Sequence, residues 1–171
     1  MIKLAYILNF ALLLALFANA KPHTNVVYIL ADDLGYGDLS ILGQSNFETP
    51  HIDSLARKGM IFTDHYSGST VCAPSRASLL SGLHTGHAPV RGNLEWQPEG
   101  QYPMPEGTYI IPQMLKRAGY TSGIFGKWGL GAPKTASEPL SMGFDRFYGY
   151  NCQRIAHHYY PYFLWDDDSL E

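Results

Sequence analysis

Cysteine is scarce: the 171-residue chain carries 2, Cys72 and Cys152, too few for a disulfide framework or a four-thiolate zinc site. An excess of basic residues is lacking too, with 12 Lys+Arg against 15 Asp+Glu and a formal charge of −3. Without a positive field to neutralise phosphates, nucleic-acid binding has no support. Internal repeats and low-complexity stretches are absent. So is an uninterrupted apolar run of the ~20 residues that a membrane-spanning helix needs. What remains is 46% hydrophobic and 13% aromatic, enough apolar surface to bury a core, and the expectation is a folded α/β protein.

The first residues read as a leader. Met1-Ile2-Lys3 gives a short positive start, Leu4 to Phe17 is apolar apart from Asn9, and Ala18-Asn19-Ala20 has the small-x-small form of a cleavage site. The expectation is a signal peptide over residues 1–20, cleaved after Ala20, and an exported chain that is periplasmic or secreted. A membrane anchor is the other reading of the same run, and Lys21-Pro22 ends it short of a stable span. Residues 21–171 would then be the exported part, in an oxidising compartment where a bare cysteine calls for a reason.

Beyond the leader, strands are expected to alternate with helices. Val26 to Ala31 is a continuous apolar, β-branched run of the kind buried on both faces of a parallel sheet, and it stops at Asp32-Asp33. Thr49 to Gly59 reads as one helix, with Thr49 as N-cap, Pro50 in the first turn and Gly59 past the end. Met60 to Phe62 follows as a strand candidate. A second helix is predicted over Thr108 to Arg117, with Ile111, Met114, Leu115 and Ala118 on its apolar face, then Gly119 and a strand from Tyr120 to Phe125. Two helix–Gly–strand units after a buried strand predict a βαβ arrangement. The Gly/Pro-rich passage from Gly82 to Gly107 reads as surface loop.

Two places carry chemistry. In parallel α/β sheets ligands sit at the carboxyl ends of the strands, where Asp32 and Asp33 are expected. Adjacent carboxylates suit a hard cation such as Ca²⁺ or Mg²⁺, and they equally suit a polar turn. In Val71-Cys72-Ala73-Pro74-Ser75-Arg76, continued to Gly82, Pro74 fits a first helical turn and Gly82 closes the helix, so Cys72 falls at its N-terminal end. Free N–H groups there favour an anion, with the Arg76 guanidinium one turn on. Cys72 also reads as a small buried hydrophobe, or as the disulfide partner of Cys152.

Taken together these residues resemble the type I sulfatases of the alkaline-phosphatase-like superfamily. Cys72-Ala73-Pro74-Ser75-Arg76 with Leu80-Ser81-Gly82 is similar to the family's Cys-x-Pro-x-Arg signature. Asn25 to Gly35 is similar to its opening strand and metal-binding acids, Thr49 to Ala56 to its first helix, and Gly126-Lys127-Trp128 to its lysine motif. The resemblance implies an alkaline-phosphatase-like sandwich whose mostly parallel central sheet is flanked by helices. It implies a sulfuric ester hydrolase whose Cys72 is converted to Cα-formylglycine by a formylglycine-generating enzyme that reads Pro74 and Arg76. Asp32, Asp33 and the modified Cys72 would hold Ca²⁺, with Mg²⁺ as the other candidate. Cys72 would supply the nucleophile, Arg76 would orient its hydrate, and Lys127 would bind the sulfate of a sulfated glycan or aryl sulfate.

The chain departs from that pattern in two ways. Many sulfatases have His two residues after the motif lysine, where this chain has Gly129; His157 and His158 are candidates to substitute for it and to touch substrate. Family members also run far beyond 171 residues and carry further ligands later, so the expectation is an N-terminal portion of a catalytic domain, inactive alone. A phosphate or phosphonate ester hydrolase of the same superfamily, and a non-catalytic product that binds metal or sulfated glycan, are the other readings. The aromatic tract from Phe147 to Trp165 suits either sugar stacking or core packing.

Overall fold

The computed structural model describes residues 24–171, in two compact units divided between Glu48 and Thr49. The expected signal peptide and its cleavage after Ala20 lie outside the described residues.

In the N-terminal unit, two short 3₁₀ turns, Tyr36–Asp38 and Ser40–Leu42, follow the acidic pair. The Asp38 carboxylate accepts the Gly35 N–H at 2.6 Å and closes the first of them. The strand expected over Val26 to Ala31 is not formed among the described residues, and Val27 and Ile29 are 84% and 81% exposed. A β-branched run becomes a strand only where a ladder partner and a covering layer exist, because β-propensity measures packing on a pleated surface.

The second unit is built from four helices, α1 (Pro50–Lys58), α2 (Cys72–Ser81), α3 (Ile111–Arg117) and α4 (Gln153–Ala156), and four strands, β1 (Gly123–Lys127), β2 (Arg146–Tyr150), β3 (Trp165–Asp166) and β4 (Ser169–Leu170). α1 starts and stops as its sequence dictates, with Thr49 as N-cap, Pro50 at the first position and Gly59 donating its N–H to the Ala56 carbonyl. Met60 to Phe62 is exposed and forms no strand. α3 begins three residues later than expected, because the Thr108 hydroxyl and N–H both bond the Pro105 carbonyl in a turn. The Gln113 side chain then accepts the Ile110 N–H at 2.7 Å and covers the helix start.

The strand expected at Tyr120 to Phe125 instead occupies Gly123–Lys127. Tyr120 still donates back to the Leu115 carbonyl, and the Ser122 N–H is taken by the Asp145 carboxylate at 2.9 Å, so neither can enter a ladder. β1 and β2 pair in parallel from Gly123↔Arg146 to Lys127↔Tyr150, and β2, β3 and β4 continue antiparallel. The βαβ expectation is met in its parallel pairing and not in its crossover, since residues 128–145 connect β1 to β2 through turns without a helix. Gly149 is required at its register position: a Cβ there would stand 2.0 Å from the Gly126 carbonyl oxygen.

The core holds Ala73 and Ala77 of α2, Val90, Met104, Ile110, Trp128, Leu130, Met142 and Phe147, each no more than 3% exposed. The 82–107 passage has no helix or strand, as expected, yet it is not merely surface: Ala88, Val90, Gln101 and Met104 are buried. Trp128 donates its indole N–H to the Ser137 carbonyl at 2.8 Å and meets Phe144 edge-on at 6.1 Å.

The sheet edge is pinned by charge. Lys116 Nζ lies 2.8 Å from Asp145, and Arg146 bonds both Asp166 and Asp167. The Lys116 hydrogen bond, helped by the Ser122 N–H, holds the Asp145 carboxyl below its ordinary value. For Asp167 the Phe147 N–H is the larger cause of the same lowering, and Arg146 adds to it.

Candidate active site

The carboxyl ends of β1 and β2 face the start of α2, and the backbone makes the join. Past β1 the parallel pairing continues, with Trp128 N–H donating to the Tyr150 carbonyl at 2.9 Å and Gly129 N–H to the Asn151 carbonyl at 3.2 Å. Residues 127–129 therefore run beside residues 150–153, at the edge where ligands of parallel sheets are held.

Cys72 is the first residue of α2, half-buried, with its thiol free. The Cys72–Cys152 disulfide is not formed, and Cys152 is a buried thiol. Gly82 ends α2 in the left-handed conformation, φ +68°, with its N–H on the Ser78 carbonyl. The Cys72 thiol donates to Gln153 Oε1 and accepts from Asn93 Nδ2 at 3.1 Å. Asn93 Oδ1 takes the Ala73 N–H at 3.1 Å, so one amide covers both the sulfur and a free donor of the helix start.

Arg76, one turn along α2, reaches the other strand end: its Nη1 donates to the Lys127 carbonyl at 2.6 Å. That bond ties α2, which carries Cys72 and Arg76, to the main chain of Lys127 at the end of β1. His157 and His158 are exposed at the end of α4, after Gln153. The polar partners of the Cys72 sulfur are amides, Gln153 and Asn93, and not imidazoles.

Asp32 and Asp33 lie at a bend in the N-terminal unit, Asp33 at φ +57°. Their carboxylates are hard oxygen donors of the kind Ca²⁺ and Mg²⁺ prefer. Ca²⁺ takes about six to eight oxygens, and among the described residues no three His, Cys, Asp or Glu side chains gather to hold a metal. By donor type the pair fits such an ion, and alone it would supply only part of a shell.

Sequence reasoning missed Asn93, Gln101 and Gln153. Gln153 and Gln101 are each 2% exposed, and Gln101 Oε1 accepts the Gln153 N–H at 2.8 Å. Amides in loops and four-residue helices carry no periodic or motif signal. The one hint was Gly129, where the pattern of the lysine motif breaks.

A family model described as Sulfatase matches residues 24–170. The chain belongs to the sulfatase family. Among curated relatives, this sulfatase chain is 39% identical to rat N-acetylgalactosamine-6-sulfatase over 86% of its own length and 28% of the relative's. It is 45% identical to human arylsulfatase A over 81% of its length and 28% of the relative's. It thus spans a little over a quarter of the curated relatives it matches. A Bacteroides thetaiotaomicron protein described with the metabolism of multiple glycosaminoglycans superposes with TM-score 0.72 at 31% identity, covering 84% of this chain and 31% of that one. Ps i-CgsB gives TM-score 0.67 at 35% identity over 72% of this chain and 27% of that one, and has also been solved in complex with k-i-k-neocarrahexaose. The mixed α/β fold of this sulfatase is that of its alkaline-phosphatase-like neighbours. Among the described residues no helix is long and apolar enough to cross a membrane.

Proposed function

We propose that this sulfatase hydrolyses sulfate esters by covalent catalysis at residue 72. The observation that supports the reading is the convergence of Cys72, Arg76 and Lys127 where β1 and α2 meet, tied by the bond from Arg76 to the Lys127 carbonyl. Converted to formylglycine by a generating enzyme, residue 72 would supply two hydroxyls, one to attack the ester sulfur as the sulfur–oxygen bond to the alcohol breaks, the other to expel sulfate and restore the aldehyde. Arg76 fixes positive charge one turn from that group. Lys127 would bring a second cation to the strand end, so that the charge building on the sulfuryl oxygens would meet fixed positive groups.

Asp32 and Asp33 are proposed as oxygen ligands of a divalent cation, Ca²⁺ before Mg²⁺. When bound, such an ion would add Lewis-acid polarisation of the sulfate. Residues 1–20 are proposed as an export leader, and residues 21–171 as part of the catalytic domain.

A sulfated glycan is the proposed substrate class. Tyr159, Tyr160 and Tyr162 are 80%, 95% and 105% exposed, which leaves their faces open to sugar rings. Phe147, in the same tract, is core.

The test is mass spectrometry of the tryptic peptide from Gly59 to Arg76 after expression in a host with a formylglycine-generating system and alkylation of thiols. An aldehyde at residue 72 that resists alkylation is the expected result. An alkylated, unmodified Cys72 beside a converted control sulfatase would overturn the reading. Stronger binding of inorganic sulfate than of inorganic phosphate by the converted chain, read by calorimetry, would favour sulfatase over phosphatase chemistry.

A further inference from the structure

We propose that Gln153 positions the reacting group of residue 72, occupying the space that a side chain at position 129 would need. The inference rests on the sulfatase reading for what reacts, and on the geometry alone for what holds it.

Gln153 is 2% exposed and is fixed at both ends. Its N–H donates to Gln101 Oε1 at 2.8 Å, and its side-chain Oε1 accepts from the Cys72 thiol. Its Nε2 points at the Gly129 carbonyl, 3.4 Å away, and at Asn93 Oδ1, 3.5 Å away. Gly129 stands at φ +71°, and a Cβ there would lie 2.6 Å from Gln153 Nε2 and 2.9 Å from its Cδ and Cγ. Any side chain at 129 and this placement of Gln153 therefore exclude each other. The space beside the Cys72 sulfur that a side chain at 129 would enter is filled by the Gln153 amide.

The exchange changes the chemistry. Gln153 Oε1 accepts one hydrogen bond and Asn93 Nδ2 donates one, so a hydroxyl-bearing group at residue 72 would be oriented from both sides. An imidazole would titrate near neutral pH and could take a proton. A carboxamide does neither. Gln153 is therefore a positioning residue: it orients the group at residue 72 and takes no proton from it.

The test begins with the full chain made in a host without the converting enzyme, so that residue 72 stays a thiol. Iodoacetamide alkylation of Cys72 is followed against pH by peptide mass, with buried Cys152 as the internal reporter of folding. Gln153→Glu sets a carboxylate against the sulfur, and the expected shift is about one pH unit upward, a rate about tenfold lower on the rising limb. Gln153→Asn withdraws the acceptor by one methylene and is expected to shift the profile downward, since the protonated thiol loses its partner. Profiles unmoved in both variants, with Cys152 still protected, would overturn the proposal. In converted chain, hydrazide labelling of the aldehyde at residue 72 should rise several-fold in Gln153→Leu, because the hydrate loses the acceptor that holds it. Absence of aldehyde in wild type would refute the sulfatase reading, while the thiol titration still decides the place of Gln153.

Discussion

Replacing Gly129 with Ala tests the site where packing and chemistry meet. Two costs act together. The backbone sits at φ +71°, where a Cβ meets the following carbonyl at about 1–2 kcal/mol. The new methyl would stand 2.6 Å from Gln153 Nε2, so the amide must swing away and release its bond to Cys72, at about 0.5–1.5 kcal/mol. The expected loss is about 2–3 kcal/mol, read as a lower urea midpoint with unchanged slope by Trp fluorescence. In a Gln153→Ala background the clashing atoms are gone and only the backbone cost of about 1–2 kcal/mol remains, a coupling of about 1 kcal/mol between positions 129 and 153. Equal costs in the two backgrounds, within about 0.5 kcal/mol, would refute the reasoning.

Three more outcomes are expected. Lys127→Met should weaken sulfate binding by calorimetry without releasing Arg76, because Arg76 bonds the main-chain carbonyl of residue 127 and not its side chain. Asp145 and Asp167 have lowered folded pKa values, so their stabilisation is complete above the unfolded carboxylate pKa and fades as pH falls through the folded value; Asp145→Asn should flatten the loss of urea midpoint between about pH 5 and pH 3. Phe147→Ala removes a side chain with 0% exposure from the second position of β2 and should cost about 3–5 kcal/mol in the same unfolding assay.

Where local chemistry decides, the sequence was legible. Thr49, Pro50 and Gly59 mark α1 to the residue, and Cys72 and Gly82 bound α2, because caps and left-handed glycines act within one turn. β1 was displaced by contacts no window contains: the Asp145 carboxylate, distant in sequence, takes the Ser122 N–H. Val26 to Ala31 reads as a buried strand from composition, and its side chains stand exposed because a strand is a property of its neighbours. The signature residues Cys72, Arg76 and Lys127 were each nameable from a motif. Gln153 was not, since its role comes from a turn after β2 that brings it under Gly129.

The site is held by main chain and amides more than by charge, and this decides which substitutions report on chemistry. Asn93 binds the Ala73 N–H and the Cys72 sulfur with one carboxamide; Gln153 binds the sulfur while the Gln101 side chain holds its N–H. Neither amide titrates, so a pH dependence traced to residue 72 belongs to that residue or to its substrate. Arg76 adds charge and also a strut, through a backbone acceptor that survives any change at the Lys127 side chain. Losing Arg76 therefore confounds fold and charge, whereas Lys127→Met leaves the main-chain acceptor of Arg76 in place. A residue at 129 able to take a proton would first have to displace the Gln153 amide and break its bond to residue 72.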